Sequence, residues 1–480
     1  MKLFKIEKIP TQFKATIAFI LASSITQGLN LLVTPIFVRI MTTEEIGMVT
    51  NFNSWASLIG IIVNMMLYAN SYMIAMNEFP DNRDEYTAFA LCVSMISTLF
   101  FATIYFLNPS FFQKALGINS NLIILMYAGF FFLPATNFWL ARQRYEYKYI
   151  SVLCVSVITA LIATFSSLFA VFLANEKGIN AAESRIFATY IVNIIVAIII
   201  SIVIFTKKRP KWNSSFAKFV IVVNSPMIVH SLAKNVLDVS DRVMIAGLVG
   251  ASQAGIYGTL YSLCTLIMIL WNAINMAITP YMFSEMNHIK ERAKTLRRFL
   301  NRLLLAFFVF SSMFTLVAPE LIRLFTTDVY IKEIGIVPPI ISGCYITAMY
   351  SLIGNVLLFN KKTVSIMLAT LSAGITNVVL NYVCIPIWGF HVAAYTTVVG
   401  YAVLSLILYI FMRKIDNATS TFFDIRFSII ICVVSFITNM VISLLYPYSA
   451  IRYIIVILVL VLLIINRKRL LEMIKETKKS

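Results

Sequence analysis

Fourteen apolar runs of helix length follow one another along this 480-residue chain, and they constrain its fold more than any motif does. A membrane-crossing helix needs about 20 mostly apolar residues, a barrel strand roughly 9–11. The runs here are of the longer kind and do not alternate, so helices are predicted. They fall at 14–41, 46–76, 87–107, 119–140, 149–174, 186–206, 216–246, 254–280, 298–319, 334–359, 363–386, 390–412, 425–445 and 449–466. Charged residues are only 12% of the chain and hydrophobic ones 60%. A soluble domain carries roughly 25% charged residues, so an ordinary soluble enzyme is excluded. The expected fold class is all-α, a polytopic membrane protein with about 14 transmembrane helices. The first run is too long for a signal-peptide core and lacks a cleavage site, so it is taken as a retained span.

The net charge of +18 is explained by topology rather than by nucleic acid. Thirty of the 39 Lys and Arg residues lie in segments that this span count puts on one side. They include the N-terminal Lys2, Lys5 and Lys8, the segment Lys290–Arg302 and the tail from Arg467. That asymmetry predicts both termini in the cytoplasm of a plasma-membrane protein. The basic residues are divided among separate inner loops, which argues against nucleic-acid binding. The segment Lys290–Arg302 and the tail are suited to anionic lipid headgroups. No connection is long enough for a catalytic domain, and no Walker, HExxH, Gly-x-Ser-x-Gly or Rossmann pattern occurs. An enzyme is therefore not expected. The six Cys all lie in apolar runs without a CxxC, and read as small buried hydrophobes.

A weak internal repeat appears at an offset of 208. It sets Gly47 on Gly255, Ser54 on Ser262 and Ile59 on Ile267. TTEEIGMV in one copy stands where GASQAGIY stands in the other. Six helices per copy preserve orientation, so the copies are parallel repeats, an arrangement used by transporters. The expected organisation is 1–206 and 207–412 as six-helix lobes, then 413–480 as two further helices and a basic tail.

Charged residues in hydrocarbon are costly and normally face a cavity or one another. The seventh run concentrates them. His230, Lys234, Asp238 and Arg242 are spaced by four, with Asp241 beside them, which makes one stripe on a helix. Pro226 lies before it and is placed to kink the helix. Two readings stand: a self-neutralising ladder that packs helices, or the wall of a water-filled cavity. The repeat sets Lys234 over Thr26, Asp238 over Asn30 and Arg242 over Thr34. The first run thus carries a matching uncharged stripe that includes Gln27, and Arg39 closes it. Further polar candidates are Asn51, Asn53, Asn64, Asn70, Asn137, Arg142, Asn272, Asn275, Asn355, Asn377 and Asn381. Residues of this kind also serve as glue between helices.

IFVRIMTTEEIG at the end of the first run and SDRVMIAGLVGASQAGIYGTLYSL across the seventh and eighth resemble the bacterial polysaccharide-biosynthesis exporters. These are the oligosaccharide-lipid flippases of the multidrug/oligosaccharidyl-lipid/polysaccharide (MOP) exporter superfamily. The resemblance implies a MATE-like fold of two lobes and movement of an undecaprenyl-diphosphate-linked oligosaccharide to the outer leaflet, for O-antigen or capsule. It implies no cofactor, coupling to a proton or sodium gradient, and polymerases and glycosyltransferases of the same pathway as partners. On that basis Lys234, Arg242 and Arg39 are the cations for the diphosphate, and Asp238 or Asp241 separates them between cycles. Asn and Gln side chains, among them Gln27, Asn30 and Asn275, face sugar hydroxyls. Three other classes remain open: a multidrug antiporter of the same superfamily, a flippase for the peptidoglycan lipid precursor, and a non-transporting scaffold. The first span has no acidic residue before Glu44, which disfavours an exporter of cationic drugs.

Overall fold

The computed structural model describes residues 11–287, 289–415 and 423–465. Lys2, Lys5 and Lys8 and the tail from Arg467, on which the expected side of the termini rests, lie outside the described residues. Among the described residues the regular elements are nineteen α-helices, one π-helical turn and one 3-10 turn, Ile334–Ile336. They run α1 Thr11–Ile40, α2 Thr43–Val63, α3 Asn70–Glu78, α4 Arg83–Leu107, α5 Pro109–Leu116, α6 Ser120–Tyr145 and α7 Tyr149–Lys177. Next come α8 Ala181–Lys207, α9 Ser214–Phe219, the π-turn Val220–Asn224, α10 Ser225–Leu248, α11 Ala251–Cys264 and α12 Ile267–Asn287. The chain continues through α13 Ile289–Phe325, α14 Asp328–Lys332, α15 Val337–Phe359, α16 Thr363–Trp388, α17 Val392–Arg413, α18 Ile425–Leu444 and α19 Ser449–Ile465.

Among the described residues, eleven helices are long and apolar enough to cross a membrane, or twelve if the bent pair before and after Pro226 is one span. The protein is thus an all-α, multi-pass membrane protein. The figure of fourteen is not reached on those criteria. Of α1 and α19 only the apolar stretches Ile25–Ile40 and Ser449–Leu462 enter that count, so neither is among the eleven. Two predicted single helices are also interrupted. The run 46–76 is broken between α2 and α3, where Met65 and Met66 take left-handed φ of 53° and 46°. The run 254–280 is broken between α11 and α12. The seventh run bends by 41° at the junction that holds Pro226, as a residue without an N–H dictates.

Helix starts follow local chemistry. Thr42 and Glu45 form a reciprocal capping box at α2. The same Glu45 carboxylate accepts the Ala181 N–H at 3.0 Å, so one anion serves the N-termini of α2 and α8. Asn108 caps α5 ahead of Pro109, and Gly117 ends it at φ 62°.

The chain divides into two compact units, Met1–Thr259 with Lys361–Leu408, and Leu260–Asn360 with Tyr409–Ser480. In the first, α7 packs on α1 and α8, α6 on α8, and α10 on α2 and α16. Its densest core is aromatic: Tyr72 meets Phe138 at 5.3 Å and Phe216 meets Tyr86 at 5.3 Å. In the second, α15 is buried along most of its length against α12, α13 and α18. There Arg452, 2% exposed, reaches both Glu320 oxygens at 2.7 Å and the Leu316 carbonyl at 2.7 Å. The expected boundaries near 206 and 412 concern the repeat rather than compactness, and we retain them as a proposal.

Within the first unit, residues matched by the 208 offset meet. A Cβ on Gly255 would lie 2.7 Å from the Gly47 nitrogen, and one on Gly258 would lie 2.7 Å from Thr50 Cγ2. A Cβ on Gly47 would strike the Ala251 carbonyl, and one on Gly255 the Thr43 carbonyl. Gly47 matches Gly255 and Thr43 matches Ala251, so the two contacts are reciprocal. Such reciprocity is what a two-fold relation between α2 and α11 produces. Small residues allow the backbones to come this close.

Candidate functional site

The α10 stripe separates into an open pair and a buried acid. Lys234 Nζ lies 4.0 Å from Asp238 Oδ2, with side chains 57% and 39% exposed. Tyr401 on α17 donates to Asp238 Oδ1 at 3.1 Å. Asp241 is 1% exposed and fully occupied. It accepts Tyr257 Oη at 2.7 Å and the Arg242 backbone N–H at 2.8 Å. His230 is half-buried, and its Nδ1 has no hydrogen-bond partner among the described residues. Neighbouring positions of α10 are fixed to other helices. Ser57 of α2 donates to Asn235 at 3.0 Å, and Ser240 donates to Asn377 of α16 at 3.1 Å. α10 is therefore tied to its neighbours by polar bonds at Asn235, Asp238, Ser240 and Asp241, while Lys234 is the more exposed member of the open pair.

A cavity of about 580 Å³ opens in the same unit among α1, α2, α6, α7 and α8. Its size lies inside the usual range for ligand sites, about 300–1,000 Å³. Its wall carries many hydroxyl and amide side chains. Thr26, Asn30 and Thr34 come from α1, Asn53 from α2, Thr136 and Asn137 from α6, Ser156, Thr159 and Ser167 from α7, and Thr189 and Asn193 from α8. Of the uncharged stripe on the first span, Thr26, Asn30 and Thr34 lie in this wall and Gln27 does not. Arg185 is the charged residue of this wall. Its guanidinium lies 3.6 Å from the Phe37 ring centroid, and no carboxylate pairs with it among the described residues.

The remaining predicted residues are dispersed. Gln27 is exposed and outside the cavity wall, and Arg39 turns back to the Pro35 carbonyl at 2.9 Å. Asn275 lies in the second unit, where it accepts from Asn355 at 2.9 Å. Asn51 donates to the Leu116 carbonyl at 3.0 Å, and Asn377 and Asn381 form a buried network with Thr396 and Thr397. These bonds join helices. Arg142 pairs with Glu146 and lies 3.5 Å from Asp84. In the α6–α7 connection, burial pushes the Glu146 carboxyl up, but Lys148 and Arg142 outweigh it and hold the group below its usual value. Cys154 is exposed rather than buried.

Arg185 was missed because the sixth span was started at residue 186, whereas α8 begins at Ala181. The available signal was the Asn180–Glu183 pair, a side-chain cap that marks a helix start.

Residues 13–286 match the family described as "Polysaccharide biosynthesis protein". No curated protein matches the sequence. Among solved structures, a lipid II flippase MurJ in an inward closed conformation is similar with a TM-score of 0.68 and 14% identity, covering 95% of this chain and 100% of that one. An inward-facing multidrug resistance MATE family transporter of the MOP superfamily is similar at TM-score 0.63 and 13% identity, with 83% and 97% covered. A MOP superfamily transporter from Pyrococcus furiosus, described by a binding pocket of reversed polarity, gives 0.56 and 13%, with 84% and 95% covered. At these identities the likeness speaks for the fold, which is MATE-like. By the family match over more than half of its length, the chain belongs to the polysaccharide biosynthesis proteins, and its fold is MATE-like.

Proposed function

We propose that this protein is a flippase that moves a lipid-linked saccharide across the membrane. The observation that carries this is the cavity of about 580 Å³, walled by hydroxyl and amide groups, inside a membrane-embedded unit. Hydrocarbon cannot satisfy sugar hydroxyls or a diphosphate, so a carrier must replace their water. Threonine, serine and asparagine side chains donate to and accept from sugar hydroxyls alike. Among the described residues the wall has one arginine and no carboxylate, which disfavours a cationic drug as cargo.

For the finer cargo, we propose an undecaprenyl-diphosphate-linked oligosaccharide destined for O-antigen or capsule, moved from the cytoplasmic to the outer leaflet of the plasma membrane. The family description supports a polysaccharide pathway. A second reading, a peptidoglycan lipid precursor, is favoured by a specific observation: the lipid II flippase is matched over its whole length and over 95% of this chain. Lys234 is proposed to meet the diphosphate, with Arg242 and Arg39 as further cations. Asp238 holds Lys234 in the empty carrier, and its protonation would link the step to an ion gradient. Asp241, already bonded to Tyr257, takes a structural part. Polymerases and glycosyltransferases of the pathway would act on either side of this step.

The test uses purified protein in sealed vesicles with two labelled cargoes, an undecaprenyl-diphosphate oligosaccharide and a peptidoglycan lipid precursor. Exposure of each to an impermeant quencher is followed under an imposed gradient. Transport of the first alone supports the polysaccharide reading, and of the second alone the precursor reading. Transport of neither, with insertion confirmed, refutes both. Lys234→Ala should abolish the transport while inserting normally, and unchanged transport would remove Lys234 from the site.

A further inference from the structure

We propose that the cavity of the first unit is a saccharide subsite selective for an acidic sugar, whose carboxylate is received by Arg185; this rests on the flippase reading above. An arginine in a membrane-embedded wall is costly unless something answers its charge. Arg452, buried in the second unit, is answered by the Glu320 carboxylate. Arg185 is not. Its guanidinium carbon lies 3.6 Å from the centroid of the Phe37 ring, and its Nη1 lies 3.9 Å from the Met41 sulfur. The nearest acid in sequence, Glu183, is engaged elsewhere, accepting from Asn119 at 2.6 Å. A ring face stabilises the cation and fixes the plane of its fork, but leaves its charge unneutralised.

The surroundings decide which anion fits. A diphosphate carries more than one negative charge and calls for several cations, whereas Arg185 is the one charged side chain of this wall among the described residues. A single carboxylate matches it in charge and in the geometry of two parallel N–H···O bonds. Around it the wall offers groups with unspent hydrogen-bonding capacity. Thr136 Oγ1 is buried without a partner among the described residues, and Thr136 lines the cavity beside Asn137. Such groups suit the hydroxyls of the ring that bears the carboxylate. Phosphate contacts and sugar selection are thereby assigned to different places, Lys234 and Arg185.

The full-length protein in nanodiscs would be titrated with three probes: a glucuronic-acid tetrasaccharide, its neutral glucose counterpart, and undecaprenyl diphosphate. The expected result is that wild type prefers the acidic saccharide by about tenfold or more, the worth of one charge-assisted hydrogen bond. Arg185→Gln should erase that preference and leave undecaprenyl diphosphate binding unchanged, and Arg185→Lys should restore part of it. Equal affinity for both saccharides in wild type overturns the proposal, as does a preference that survives Arg185→Gln. Loss of undecaprenyl diphosphate binding in Arg185→Gln, without any saccharide preference, would assign Arg185 to the diphosphate instead and also overturn it. If Arg185→Gln fails to fold, Arg185→Lys and Phe37→Leu carry the comparison: a preference unchanged in both refutes it. Failure of the parent reading is separate, since it appears as absent lipid transport in vesicles whatever the saccharide affinities are.

Discussion

Gly47→Ala should be among the most damaging single-methyl additions in the first unit. The added Cβ would lie 1.7 Å from the Ala251 carbonyl oxygen, where ordinary contact begins at 3.4 Å. Backbone cannot rotate away as a side-chain tip can, so α2 and α11 must separate by about 1.7 Å, the difference between those distances. The Thr43–Ser252 hydroxyl bond, now 2.7 Å, would stretch beyond hydrogen-bonding range. Overpacking of this kind costs about 1–3 kcal/mol, and the lost bond adds about 1 kcal/mol. Together that is about 2–4 kcal/mol, a fall of roughly 4–8 °C in melting temperature at ~2 °C per kcal/mol. The assay is thermal unfolding of detergent-purified protein. Gly247→Ala is the control, because a Cβ there meets nothing within 4 Å. Its expected effect is neutral or stabilising by up to about 1 kcal/mol. Gly255→Ala should resemble Gly47→Ala, because its Cβ would strike the Thr43 carbonyl at 2.3 Å. The double variant should cost less than the sum, since one separation relieves both overlaps. Melting of Gly47→Ala together with wild type would refute the reciprocal helix contact.

In the second unit, Arg452→Met should destabilise by about 2–4 kcal/mol, somewhat less than a fully buried pair because Glu320 is 28% exposed. Adding Glu320→Gln should recover a large part of that loss, and a double-mutant cycle measured by denaturant or thermal unfolding checks it. Asp424 accepts from Arg297 Nε at 3.1 Å and caps α18 through the Phe427 N–H at 3.1 Å. The Arg297 hydrogen bonds hold its carboxyl below the usual carboxylate range. A depressed folded-state value means the contribution is present above the unfolded value of about 3.9 and is lost as pH falls through the lower folded value. Asp424→Asn should therefore cost stability at neutral pH and flatten the acid end of the pH–stability curve below about pH 4. An unaltered acid limb would contradict it. Thr42→Ala should cost about 1 kcal/mol by opening the capping box of α2, read by the same unfolding assay.

Hydropathy made the helices legible, since a membrane demands long apolar runs whatever their packing. It could not register where those helices break. The residues Asn64–Ala69 contain no Gly or Pro, and their apolar side chains continue the run. What stabilises the break is distant in sequence: Asn224, at the end of the π-turn, donates to the Met65 carbonyl at 2.6 Å and accepts from Ser71 at 2.7 Å. Irregular backbone at membrane depth is tolerable only where protein satisfies its polar groups. Here one buried asparagine from an irregular stretch satisfies another irregular stretch 159 residues away. The break at Asn64–Ala69 is not visible without this partner, because the segment alone favours continuing the helix, whereas Pro226 announces the bend before α10. The candidate site divides the same way. The uncharged α1 stripe was found through the 208 offset, and Thr26, Asn30 and Thr34 do line the cavity. The offset also tied them to Lys234, Asp238 and Arg242, which that cavity wall does not include. A repeat transmits fold, and thus equivalent positions, but the local packing of each copy decides which of them meets a cavity. In the first copy that packing brings in Arg185 from α8, which has no place in the stripe. Its charge therefore marks the wall only once the helix start at Ala181, not residue 186, is known.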